Sequence, residues 1–295
     1  MVEKRIETAI SRTAEWTCLS RAISSLEKND CYRSDDTIAV KLLPDQARML
    51  IRVPLVRTFF SRIVPAKGMY EYVIARTKYI DSVFKEALAN HFDQILIFGA
   101  GFDTRALRFQ SGDGTRIFEL DAPTTQEAKI LQYEKRGMKV PSNVTFIPVD
   151  FDKEVVSAKL GEAGFKSDRK TLFILEGLLM YLQPESVYET FQTIQDLAGE
   201  GSEVVFDYVY AHILRHENLH AEERKIIESV AKEGERWYFG IEKGNVEQFL
   251  ATYGLILCDQ RDATQLEQMY FMDVNDRLMG HVNGTHCLAR AVHAG

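Results

Sequence analysis

Five short β-rich runs in the middle of the chain are separated by stretches long enough to hold helices. This alternation constrains the fold more than any other feature. The runs are QILIF (94–98), TRIFEL (115–120), VTFIPV (144–149), TLFIL (171–175) and EVVFDYV (203–209). About 16 to 24 residues separate each of the first four, and the last gap, Glu176 to Ser202, carries the helical pattern ESVYETFQTIQDLA. A strand that returns parallel to its predecessor needs a crossover of a dozen residues or more, usually a helix. The pattern therefore predicts an α/β fold, a mostly parallel sheet with helices on both faces. Two further runs, LILCDQRD and THCLARAVH, follow the helical segment NVEQFLATYG (245–254) and bring the strands to seven.

The flanking regions read differently. In YEYVIARTKYIDSVFKEALAN (Tyr70 to Asn90), Val73, Thr77, Ile80, Val83, Phe84, Ala87 and Leu88 share one helical face. Residues 1–90 are expected to form an N-terminal helical cover, and 91–295 the sheet domain, with the polar stretch at about 210–245 inserted as a helical lid. RMLIRVPLVRTFFSRIV (Arg48 to Val64) spaces four arginines by about four or five residues, which reads as a cover helix with solvated cations, the alternative being a basic membrane or partner helix. The formal charge of −7 and the lack of a basic stripe argue against nucleic acid as a partner. The charged start, MVEKRIETAI, lacks the apolar core of a signal peptide, and no apolar run approaches the length of a membrane span. With Cys18, Cys31, Cys258 and Cys287 far apart and unpaired in spacing, the expectation is a cytoplasmic protein with reduced thiols and no membrane association.

The first strand runs into a glycine turn, ILIFGAGFDTRALRF (Ile95 to Phe109). Glycine lacks the Cβ that would block a ligand from the backbone, so Gly99 and Gly101 open a close approach at the start of a helix. Glu119 and Asp121 end the second run about twenty residues later, the distance at which a carboxylate can accept ribose hydroxyls. Asp150 closes the third run, placed to take an adenine amino group, and Glu176 closes the fourth. Ligands of open α/β sheets bind at this carboxyl edge. A pyrophosphate favours a third glycine and a helix start free of negative charge, whereas this turn carries Asp103. A crevice lined by carboxylates suits a ligand with a ribose, an adenine amine and a cationic end. S-adenosylmethionine has all three.

GAGFDTRALRF, preceded by RTKYID and followed by FELD, PVDFD and EGLLMYL, resembles the leucine carboxyl methyltransferase family over most of the chain from about Arg76. That family includes protein phosphatase 2A methyltransferases and polyketide O-methyltransferases. The resemblance implies the class I S-adenosylmethionine-dependent, Rossmann-like sheet of seven strands, the last antiparallel. It also implies roles: Arg76 on the methionyl carboxylate, Gly99 and Gly101 against the methionine backbone, and Asp121 on the ribose. Asp150 and Phe151 would address the adenine ring, Glu176 the ammonium, and Tyr181 would lie near the methyl donor. Asp103 and Arg105 belong to the family hallmark, either touching ligand or bracing the turn. The N-terminal segment SRAISSLEKNDCYRSDDTIAVKLLP follows the family only loosely.

The expected activity is O-methylation of a carboxylate or hydroxyl of a small-molecule acceptor, with a protein C-terminal carboxylate as the other acceptor class. A carboxylate acceptor needs no base, while a hydroxyl would gain from one. Tyr210 and His212, beyond the fifth strand, are the base candidates, with Asp207 and Tyr208 beside them. His212, His216 and His220 recur every four residues, but no acidic or cysteine partner accompanies them, and no metal is expected. Trp237, Tyr238 and Phe239 either line an acceptor pocket or pin the lid. The competing readings are an NAD-dependent dehydrogenase and a non-catalytic module that binds S-adenosylmethionine.

Overall fold

Strands β1 (Gln94–Phe98) and β4 (Thr171–Leu175) are buried along their whole length. That is the burial expected where a parallel sheet is covered on both faces. In the computed structural model they pair side by side at the centre of a seven-stranded sheet. The structure describes residues 11–63, 65–109, 114–151, 154–217, 219, 221–232 and 236–294. The other strands are β2 (Arg116–Asp121), β3 (Val144–Pro148), β5 (Glu203–Val209), β6 (Leu255–Arg261) and β7 (His286–His293). Their order across the sheet is β3-β2-β1-β4-β5-β7-β6, and β7 alone runs antiparallel to both of its neighbours.

Helices α1 (Arg12–Ser24), α2 (Thr37–Leu42), α3 (Asp45–Leu50), α4 (Pro54–Thr58) and α5 (Met69–Ala89) precede β1, with a π-helical turn at Phe59–Ile63. Helices α6 (Arg105–Arg108), α7 (Pro123–Lys135), α8 (Val156–Glu162) and α9 (Pro184–Leu197) occupy the parallel crossovers. Between β5 and β6 lie α10 (Ala211–Leu214), α11 (Ala221–Lys232) and α12 (Val246–Ala251), and α13 (Ala263–Tyr270) lies between β6 and β7.

Period-two alternation along the strands feeds two cores. Leu96 and Phe98 of β1 join Phe118, Phe173 and Phe206 on one face. Ile95 and Ile97 join Ile117, Ile174 and Val205 on the other, against α5. The α5 face read from the sequence is the buried one: Val73, Thr77, Ile80, Val83, Phe84 and Ala87 are all buried.

Two local expectations need correction. The stretch Arg48–Val64 is not one helix. Pro54 has no N–H to donate to the preceding turn, so α3 stops at Leu50 and α4 restarts with Pro54 at its first position. His212 and His216 do not share one helix either. Helix α10 ends at Leu214, and His216 has a left-handed φ of 55° beyond it. His220 lies outside the described residues.

The order of the strands determines where a ligand can sit. Crossovers from β1 and β4 leave in opposite directions across the sheet, opening a crevice at their carboxyl ends. Because β7 is antiparallel, its first residue, His286, sits opposite Val209 at that same edge.

Candidate active site

The glycine turn after β1 is shaped by its backbone. Gly99 and Gly101 have φ of 59° and 49°, values costly for any residue with a Cβ. A Cβ on Gly99 would lie 3.0 Å from Leu178, and one on Gly101 would lie 3.3 Å from Ala14 in α1. The cover helix therefore reaches the turn itself. Across it stands Asp121 at the tip of β2, accepting the Gly101 N–H on one oxygen and the Ala122 N–H at 2.6 Å on the other. Burial pushes the Asp121 carboxyl up to about 6, against the pull of those two amides.

The structure separates Asp121 from Glu119. Glu119 lies one pleat back on the same face, 1% exposed, and receives the buried Lys129 ammonium of α7 at 2.5 Å. Burial raises its carboxyl to about 7 despite that cation. It is an internal strut between sheet and helix and does not reach the crevice.

Beside the turn runs an unbroken chain of buried ions. Arg21 of α1 pairs with Asp36, which also lies 3.5 Å from Arg108. Arg108 and Arg105 both grip Asp81 of α5, at 2.7 and 2.8 Å. Arg105 then reaches Asp103 and, at 2.7 Å, Glu176. Glu176 accepts from Arg76 Nε at 3.0 Å, and Arg76 Nη1 donates to Asp207 at 2.9 Å. Asp207 also accepts the Tyr72 hydroxyl at 2.7 Å and the Gly177 N–H at 2.5 Å. A buried charge left unpaired is very costly, so each member holds the next in place.

This chain decides the role left open for Asp103 and Arg105. Asp103 is buried and accepts both the backbone N–H and the guanidinium of Arg105. Burial alone would raise its carboxyl, but Arg105, Lys129 and Arg21 outweigh that and hold it at about 2. The pair braces the turn. Asp103 therefore bears its charge inside the protein beside a cation. Burial likewise opposes ionisation of Glu176, yet Arg105 and Arg76 keep it below the usual carboxylate range.

At the next edge, Asp150 and Phe151 follow β3. The Asp150 N–H donates to Glu154 at 2.9 Å, and the Phe151 ring lies 6.4 Å from that of Phe98. On the opposite wall, Tyr181 ends a short 3₁₀ turn (Leu179–Tyr181), and its hydroxyl meets Thr13 of α1 at 3.3 Å. Tyr210 and His212 follow β5, with their rings stacked 6.0 Å apart. Burial drives the Tyr210 phenol well above its ordinary value, so it keeps its proton at neutral pH. Trp237 and Phe239 belong to the core, and Tyr238 donates its N–H to the Met180 carbonyl at 2.7 Å.

Three groups escape a reading from sequence. Tyr72 sits one helical turn before Arg76 and supports Asp207; that i, i+4 spacing was the available signal. His286 is 4% exposed, stacks on Tyr72 at 4.4 Å, and meets the edge of Trp237 at 5.2 Å. Its Nδ1 contacts Thr285 Oγ1 at 2.6 Å, and burial lowers the imidazole to about 4, so it is neutral near pH 7. Thr13 precedes every motif that carries the resemblance and gave no signal.

These residues fit S-adenosylmethionine on grounds visible in the fold. Gly99 and Gly101 leave a cradle that a Cβ would fill, and Asp121 stands 4.0 Å from that position with a carboxylate for ribose hydroxyls. Among the described residues no group of three His, Cys, Asp or Glu is arranged to hold a metal ion.

Comparison with known proteins identifies the family. The family model described as leucine carboxyl methyltransferase matches residues 14–195. A relative from Mycolicibacterium gilvum, named "Putative S-adenosyl-L-methionine-dependent methyltransferase", is 30% identical over 69% of this chain and 67% of its own. A Bacillus subtilis protein with the same description, YktD, is 26% identical over 70% of this chain and 67% of its own. A match from Mycolicibacterium paratuberculosis is 33% identical but spans 48% of this chain and 44% of that relative. Among solved structures, one from Thermobifida fusca named as a putative methyltransferase shares the fold at a TM-score of 0.61, covering 98% of this chain and 96% of its own at 12% identity. The chain belongs to the leucine carboxyl methyltransferase family and is an S-adenosylmethionine-dependent methyltransferase.

Proposed function

We propose that the protein transfers a methyl group from S-adenosylmethionine to an oxygen of a small-molecule acceptor, with a carboxylate as the preferred class. The single observation that carries the site is Asp121, held at the tip of β2 against the left-handed glycine turn. The family description, leucine carboxyl methyltransferase, supports a carboxylate acceptor.

When bound, the cofactor supplies an electrophilic methyl group on a sulfonium. The chain's task is to place the acceptor oxygen in line with the S–CH₃ bond, which breaks as the O–CH₃ bond forms. Such positioning is worth roughly 7–11 kcal/mol. In this reading Asp121 takes the ribose, Asp150 and Phe151 the adenine, and Gly99 and Gly101 admit the methionine backbone. Glu176 meets the ammonium and Arg76 the methionyl carboxylate, both oriented by Arg105 and Asp207. Tyr181, tied to Thr13, borders the methyl end. A carboxylate acceptor arrives as an anion and needs no proton removed. Tyr210 keeps its proton, which argues against a role as base. For a hydroxyl acceptor, His212 would take the proton.

Labelled methyl transfer into a metabolite extract tests the proposal. Label should enter the small-molecule fraction and be released as methanol by mild alkali, the mark of a methyl ester. Alkali-stable label would place the acceptor among hydroxyls, and label confined to nitrogen or to protein would overturn the reading. Asp121→Ala should abolish both turnover and calorimetric binding of the cofactor; equal binding by that variant would remove the assigned site.

A further inference from the structure

The segment between α2 and α5 turns an apolar face to solvent. Leu55 is 82% exposed, Met49 70% and Ile63 66%, and Leu50, Val53 and Phe59 are each about half exposed. Scattered apolar residues on a surface are ordinary, whereas six within one short segment form a patch of the kind that marks an interaction site. The same segment buries Ile51 and Ser61 and packs Phe60 against the core beneath. It is thus an anchored, two-sided structure whose outer side is apolar.

Charge identifies what covers it. The chain as a whole carries −7, yet between Gln46 and Lys67 it holds Arg48, Arg52, Arg57, Arg62 and Lys67 and no acid at all. Arg52, Arg62 and Lys67 are exposed. Arg48 pairs with the exposed Asp45 at 3.0 Å, Arg57 caps the carbonyls of Ile51 and Arg52, and Arg62 lies over the Tyr32 ring at 5.0 Å. Apolar side chains interleaved with cations are the chemistry of segments that lie in the plane of an anionic lipid surface, the side chains entering the acyl boundary and the cations meeting headgroups. No helix of the described residues is long and apolar enough to cross a membrane, so the contact is peripheral.

We propose that Met49–Ile63 docks the protein on anionic lipid surfaces. This departs from the expectation that the segment is a cover helix with solvated arginines and takes up the basic membrane helix weighed against it. The π-helical turn packs on α1, and α1 touches Tyr181 through Thr13, so docking would set the mouth of the crevice beside the lipid. The proposal does not depend on the methyl acceptor.

Co-sedimentation of the full chain with vesicles of phosphatidylglycerol, and separately of phosphatidylcholine, tests it. Binding is expected to phosphatidylglycerol only, and to fall as salt rises. Arg52→Gln and Arg62→Gln should each weaken it about fivefold, and Leu55→Ser about tenfold or more. Thermal unfolding and cofactor binding of these surface variants should match the parent, separating lost docking from lost folding. Failure to bind phosphatidylglycerol at low salt, or equal binding to both lipids, would overturn the proposal. A concentration-dependent dimer abolished by Leu55→Ser, without vesicle binding, would assign the face to a second copy of the chain and equally overturn it.

Discussion

Asp121 shows how a single position couples ligand and stability. Burial lifts its carboxyl from an ordinary 3.8 to about 6, so between those values the folded chain holds a proton that the unfolded chain has released. Its contribution to stability is therefore full below 3.8 and lost as pH rises through about 6. Cofactor binding should run the other way, because the ionised carboxylate accepts ribose hydroxyls. Calorimetric titrations should show affinity falling by up to about tenfold per pH unit below the folded value and levelling above it. Asp121→Asn should bind weakly with a flat profile; a flat profile for the parent protein would refute the assignment. By spacing alone Glu119 and Asp121 were equal candidates, since both sit near the end of one β-rich run, and only the family resemblance preferred Asp121. What separates them is Lys129, which α7 folds back over the sheet to neutralise Glu119. That contact depends on how helix and sheet pack, and ten residues of spacing carry no sign of it.

Elements and turns carry the next level of information. Gly177 follows β4 with φ of 62°, and a Cβ there would lie 3.0 Å from Arg76 Nη1. Gly137, with φ of 60°, faces open space. Gly137→Ala should cost about 1–2 kcal/mol, the backbone penalty alone. Gly177→Ala should cost about 1–3 kcal/mol at the backbone plus whatever displaces the guanidinium, and should weaken cofactor binding as well. Denaturant unfolding of the pair, with calorimetry, checks this; equal losses and unchanged binding would show that Arg76 yields freely. The five parallel strands and α5 were legible because periodicity and β-branched runs report burial directly. Arg48–Val64 was read as one helix because arginine spacing was weighed and Pro54 was not. Likewise the three lid histidines were aligned on an ideal helix, whereas the chain leaves helical geometry at Arg215 and His216.

At the scale of the molecule, cofactor binding should stabilise the fold by mass action. S-adenosylmethionine at about a hundred times its dissociation constant should add about 2.7 kcal/mol, a rise of several degrees in Tm. NAD should give no shift, and Asp121→Ala should remove the shift with S-adenosylmethionine. A comparable shift with NAD would revive the dehydrogenase reading. The order of β-rich runs, the left-handed glycines and the acids at strand ends are local properties, written in residue type and spacing, and they suffice for the sheet and for the edge where a ligand binds. The ion chain from Arg21 to Asp207, the neutral His286 beside Tyr72 and the outward apolar face of Met49–Ile63 are of another kind. Each joins positions far apart in the chain or depends on which side of a helix meets the core. Partners and exposure are products of three-dimensional packing, and no one-dimensional pattern encodes them.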